Sequence, residues 1–139
     1  MPRSKHVNKS PRVRYIESKL YVQRSMHEFL ITLEDRPGSM AECCEAIGDA
    51  GINIIAGAGL ASSSAIAAIV TDDANSTIAA LELLGVEFSM RDLHTATLSH
   101  EPGSLGAFTR GLAENGINLQ SIYIMSTDGN DVEIGYSTA

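Results

Sequence analysis

The chain has 139 residues, room for one ordinary domain or two very small ones. Its hydrophobic share of 44% is that of a soluble globular protein, and with no Trp the core falls to Ile, Leu, Val, Ala and Met. No apolar run approaches the roughly 18 residues a bilayer crossing needs, and the basic N-terminus is not followed by a signal-like apolar stretch.

The net charge of −7 is unevenly spread. Seven basic side chains against Glu17 leave residues 1–25 at +6, so residues 26–139 carry −13. A body this acidic repels a phosphate backbone, which argues against nucleic-acid binding by the folded part. The basic segment reads first as a solvated tail. The other readings are a nucleic-acid arm, or an upstream stretch ahead of a start at Met26. The adjacent Cys43 and Cys44 are expected as free thiols in a reducing compartment, which points to the cytoplasm.

From Phe29 to Glu34 apolar and polar side chains alternate, predicting a strand with Phe29, Ile31 and Leu33 on its buried face. Pro37 and Gly38 break it. Met40, Cys43, Cys44 and Ile47 then follow helical spacing, with Ser39 as the expected N-cap and Glu42 completing a capping box. Gly51 ends this helix. Ile52 to Leu60 reads as a second strand and Ala65 to Thr71 as a third. Asp72 and Asp73 start a short helix through Ile78, Leu81 and Leu84, and Val86 to Met90 begins a fourth strand. Two right-handed crossovers then give a four-stranded antiparallel sheet with both helices on one face.

The pattern starts again. Leu30–Met40 matches Thr95–Leu105 without a gap at an offset of 65 residues, placing Pro37, Gly38 and Ser39 on Pro102, Gly103 and Ser104. Gly51-Ile52-Asn53-Ile54 falls on Gly116-Ile117-Asn118-Leu119. This is the mark of a duplicated supersecondary unit. The second copy predicts a strand from about Leu93, a helix over Ser104–Asn115, a strand over Ile117–Met125, and a hairpin into Val132–Tyr136. It ends before a second helix and last strand. The expected organisation is therefore a basic tail over 1–25, a βαββαβ unit over 26–92, and an incomplete βαββ unit over 93–139. The sheet face and edge this leaves open call for cover by Val13–Val22, by a partner subunit, or by sequence beyond a truncation.

The strand, Pro-Gly-Ser bend, helix and Gly-Ile-Asn strand entry, present twice, resemble the ACT domain over about residues 26–137. The resemblance implies an α+β, ferredoxin-like fold in tandem copies, with antiparallel sheets and helices on one face. It also implies a regulatory protein that senses an amino acid or related small metabolite, with no catalytic residues, no cofactor and no metal. By the same resemblance the ligand-contact residues are Asp35, Arg36, Pro37, Gly38, Ser39 and Met40 with Asn53 and Ile54. In the second copy they are His100, Glu101, Gly103, Ser104 and Leu105 with Asn118 and Leu119. His100 departs from the Asn or Asp that the family often places there. The ligand would sit where two such units meet, within the chain or across a homodimer, away from any membrane.

The residues themselves suit that role. A helix start after a glycine turn leaves free amides and a partial positive charge for a carboxylate. Asp35 offers an acceptor for an ammonium group, and Asn53 and Asn118 offer both donor and acceptor. The plainer alternatives are a solvated turn for Asp35 and two asparagines that only shape the β1–α1 loop. A ligand-free dimerisation module is the alternative reading of the whole chain.

Other chemistries find less support. Gly57-Ala58-Gly59 lacks the third glycine, the following helix and the distant acid of a dinucleotide loop. The four histidines and two cysteines show no metal-ligand spacing, and no base is placed beside either thiol. His100 and Glu101 are sequence neighbours without an orienting third group. Where an RNA-binding sheet carries aromatics, the central strands offer Ile54, Ile55, Ile69 and Val70, with Tyr123 the only aromatic in a comparable position.

Overall fold

In the computed structural model, residues 26–139 are described. The basic segment and the suggested cover by Val13–Val22 lie outside them. The elements run β1 (Met26–Leu33), α1 (Ser39–Asp49), β2 (Ile54–Ala61), β3 (Ala65–Thr71), α2 (Ala74–Leu84), β4 (Phe88–Ser99), α3 (Ser104–Glu114), β5 (Leu119–Thr127) and β6 (Asp131–Thr138). No helix among the described residues is long and apolar enough to cross a membrane.

In place of two sheets there is one, six-stranded and antiparallel, in the order β2-β3-β1-β4-β6-β5. The strands expected to close the first unit and open the second are fused into the twelve residues of β4. Its first half pairs with β1, from Phe88 opposite Ile31 to Leu93 opposite Met26. Its second half pairs with β6, from His94 opposite Tyr136 to Ser99 opposite Asp131. No proline or glycine interrupts Phe88–Ser99, so nothing in this stretch forces the ladder to break.

Side-chain alternation along β4 fixes the layers. Phe88 packs with Phe29, Ile31, Cys43, Ile47 and Leu81 beneath α1 and α2. Ala96 and Leu98, of the same parity, pack with Phe108, Leu112, Ile134 and Tyr136 beneath α3. All three helices therefore cover one face. The other face is not left to solvent. The sheet curls over it until the edge strands β2 and β5 approach each other. Val70, Leu93 and Tyr123 are buried there, with Met26, Ala56, Ala68 and Met125 packed around them.

The helix ends follow local chemistry, with one difference from expectation. Asp73 caps α2, its carboxylate accepting from the Ser76 amide at 3.0 Å. Ser39 does not cap α1. Gly38, at φ 92°, is the N-cap, and no side chain bonds the helix start. The Ser39 hydroxyl donates to the Glu34 carbonyl at 2.7 Å, and Glu42 is held by Arg36 instead of turning back to the Ser39 amide. A left-handed N-cap points the Ser39 side chain at the preceding strand end, so the capping box cannot close. Cys43 is buried and Cys44 half-buried, and burial raises the Cys43 thiol pKa, keeping it protonated core material.

The close approach of β2 to β3 rests on a missing Cβ. A methyl at Gly57 would lie 2.7 Å from the Ala68 carbonyl oxygen, a backbone atom, whereas one at Gly59 meets nothing within 4 Å. Gly57→Ala should cost about 1–3 kcal/mol in urea unfolding. Gly59→Ala should be neutral or stabilising by about 0.5 kcal/mol. Equal effects would contradict the stated register.

Candidate functional site

The two bends are built alike. Gly38 and Gly103 have φ of 92° and 89°, each is the N-cap of its helix, and neither helix start is bonded by a side chain. The Ser39 and Ser104 amides donate to the Arg36 and Glu101 carbonyls at 3.5 and 3.3 Å, and no side chain caps the other first-turn amides of α1 and α3. Asp35, Pro37, His100, Glu101 and Leu105 are exposed, and Ser39, Met40 and Ser104 are half-buried.

Their supports differ. In the first loop the Arg36 guanidinium bonds Glu34 at 2.6 Å and Glu42 at 2.9 Å, so it braces the bend against the helix. Glu101 stands in the equivalent place of the second copy and no such brace exists there. The second loop is held by the β5–β6 hairpin, the His100 amide donating to the Asn130 carbonyl at 2.8 Å. Arg36 is thereby engaged by two carboxylates at the exposed bend.

The asparagines do not join these loops. The Asn53 amide and side chain both donate to the Asp72 carboxylate at 3.1 Å, and the Asp72 amide returns a bond to the Asn53 carbonyl. Asn53 therefore fastens the entry of β2 to the β3–α2 connection. The Asn118 carbonyl accepts from the Ala139 amide at 3.0 Å. Register explains the separation. Leu33 pairs with Ala65 but Ile54 pairs with Thr71, so the first bend and Asn53 lie at opposite ends of β3, about 20 Å apart along the strand. Ser99 pairs with Asp131 and Leu119 with Thr138, which separates the second bend from Asn118 in the same way. The residues named for each copy do not form one pocket within that copy. A cavity of about 380 Å³ opens instead between α1 and α2, lined by Ala46, Asp49, Ala50, Ala80, Leu83 and Leu84, and touches neither bend.

Among the described residues the most concentrated polar cluster lies elsewhere, at a residue the sequence pattern did not single out. Glu28 on β1 is fully buried on the helix-free face. One carboxylate oxygen accepts from the hydroxyls of Ser121 and Tyr123, and the other from Ser137 at 2.8 Å. The Nε of Arg91 lies 2.6 Å from that second oxygen, as a close charge contact. Arg91 also reaches Gln120 at 3.2 Å. Burial alone would raise the Glu28 pKa, but the donors Ser121, Tyr123 and Ser137 with the Arg91 charge outweigh it and hold the pKa below the ordinary carboxylate value. Burial, and then the Glu28 carboxylate beside it, push the Tyr123 phenol upward. The cluster ties β1 and β4 to β5 and β6. Its only sequence signal is an acid sharing a strand face with the apolar Met26 and Leu30.

No protein-family model matches the chain, and no curated protein matches it. Solved structures do. Protein BT0572 from Bacteroides thetaiotaomicron aligns at TM-score 0.72 and 17% identity, covering 83% of this chain and 80% of its own. The ligand-free regulatory subunit of aspartate kinase from Thermus thermophilus aligns at TM-score 0.62 and 20% identity, over 81% and 82%. The fold is that of the ACT domain. Identity at this level carries the ACT fold and leaves ligand and partner to be argued from the site.

Glu28→Ala would leave the Arg91 charge and three hydroxyls without their acceptor, at a cost of about 3 kcal/mol in chemical unfolding. The pH dependence has a fixed sign. A depressed folded pKa adds stability that is complete above the unfolded carboxylate value, about 4.3, and is lost as pH falls through the lower folded value. Glu28→Gln should therefore be less stable than the parent near neutrality, and the gap should shrink on acidification. A constant gap would contradict a buried ionised Glu28.

Proposed function

We propose that this chain is a regulatory protein without catalytic activity that senses an amino acid or related small metabolite through its two Pro-Gly bends. The observation that carries this is the pair of helix starts behind left-handed glycines that no side chain caps, with Asp35 beside the first. Free amides at a helix N-terminus attract a carboxylate, and a nearby acid attracts an ammonium group, so one bend suits a zwitterion. The structural likeness to a regulatory subunit of aspartate kinase supports the regulatory reading. Because each bend stands about 20 Å from its own asparagine along the strand, a closed site needs residues from another ACT unit or a second copy of the chain. We place the ligand at such a junction, where binding would stabilise one arrangement of the units over others.

One observation favours the alternative of a ligand-free interaction module. The β2 edge, Ile54–Ala61, is exposed along nearly its whole length and carries no charged side chain, as a pairing edge would.

A thermal-shift screen against the twenty amino acids at millimolar concentration separates the two. Sensing predicts a shift with one or a few of them, reaching about 2.7 kcal/mol at a hundredfold excess over Kd. Asp35→Ala should weaken that shift while leaving the unliganded midpoint in place, because the residue is exposed. If no amino acid moves the midpoint, the sensing reading fails and the module reading stands.

A further inference from the structure

The surface shared by α1 and α2 joins an apolar hollow to an unbalanced charge. The cavity of about 380 Å³ between them is lined by Ala46, Ala50 and Ala80, small side chains that let a further helix approach closely. To the same cavity α2 contributes Leu83 and Leu84. Leu83 is 91% exposed, more than any other large apolar side chain among the described residues. Both helices also end here. Asp49 is the last residue of α1 and Leu84 the last of α2, so the negative ends of two helix dipoles meet at the hollow. Neither helix carries a Lys or Arg, in its last turn or elsewhere. Glu45 adds a second acid one turn before Asp49 on the same face of α1. The arginines of residues 26–139 are spent elsewhere. Arg36 is held by Glu34 and Glu42, Arg91 lies against Glu28, and Arg110 belongs to α3. None of them pairs with Asp49.

We infer that this groove docks a cationic amphipathic helix of a partner protein. The partner's apolar side chains lie against Leu83, Leu84 and the alanines, and its lysines or arginines meet Asp49, Glu45 and the two helix ends. Charge decides among the occupants. A second copy offering the same face would set Asp49 and Glu45 against their own counterparts, and like charges across a contact oppose association. A nucleic acid or an acidic protein meets the same repulsion. An uncharged apolar helix would cover the leucines but leave the acids without a counter-charge. The groove shares no residue with either Pro-Gly bend, so the inference stands apart from any ligand bound there.

Fluorescence anisotropy with the full-length chain and three synthetic peptides tests it. Each peptide is about 18 residues, some five helical turns. The first places Leu at helical spacing and Lys elsewhere. The second replaces each Lys by Glu, and the third replaces each Leu by Ser. Saturable one-to-one binding is expected for the Leu–Lys peptide alone. Leu83→Glu and Asp49→Lys should each weaken it by about tenfold or more. Glu114→Lys makes the same charge change at the end of α3 and should leave binding within about twofold of the parent. All three positions are exposed, so thermal midpoints should stay close to the parent's. Failure of the Leu–Lys peptide to bind the full-length chain would overturn the inference. So would equal binding of the Lys–Ser peptide, which reduces the effect to net charge, or equal losses in Asp49→Lys and Glu114→Lys. A dimer in sedimentation that Leu83→Glu dissociates would give the groove to a second copy and overturn it as well.

Discussion

The fold turns on a buried charge. Glu28 has no access to solvent, and an ionised carboxylate in that position is tolerable only because Arg91 and three hydroxyls surround it. Arg91 comes from the same sheet half as Glu28, whereas Ser121, Tyr123 and Ser137 come from the other. The curl of the sheet over its helix-free face is therefore tied to the satisfaction of one side chain. Flattening the sheet would withdraw the donors of β5 and β6 and leave Glu28 paired with Arg91 alone. The apolar packing of Val70, Leu93 and Tyr123 favours the same curl without specifying its register, since hydrophobic contact is non-directional. Hydrogen-bond geometry supplies the direction.

This arrangement bears on function through the two bends. Both lie at strand ends, outside the Glu28 cluster, and both are held by short-range contacts. The first has the Arg36 brace to Glu34 and Glu42, the second the His100 amide on the β5–β6 hairpin. A ligand settling on either helix start would act on a loop joined directly to β1 or to β4, the two strands that carry Glu28 and Arg91. The route from site to junction is one strand long in each case. The different braces also mean that the two bends are not interchangeable, although both carry Pro-Gly-Ser.

Much of the fold was legible from residue pattern. The alternation at Phe29–Leu33, the glycine breaks at Gly38 and Gly103, and the 65-residue repeat located the helices and most strands within a few residues. The fusion of β4 was not legible, because the repeat suggested a boundary near Leu93 that no turn residue marks. The burial of Glu28 was hidden by the same logic that succeeded elsewhere: alternation assigns it to the face opposite Phe29 and Ile31, and that face is solvent only if the sheet is flat. The family resemblance also grouped Asn53 with the first bend and Asn118 with the second. Strand direction separates them, since β2 and β5 start at the end their preceding helices return to. The misplaced N-cap at Ser39 has a smaller cause, the left-handed turn at Gly38.

The account requires the two halves to open together, because neither retains a satisfied Glu28 cluster alone. Native-state hydrogen exchange across a series of low denaturant concentrations measures this directly, by comparing the most protected amides of β3 with those of β6. The account predicts that both sets converge on one opening free energy and one denaturant dependence. Exchange of β6 through a lower-energy opening that leaves β3 protected would contradict it.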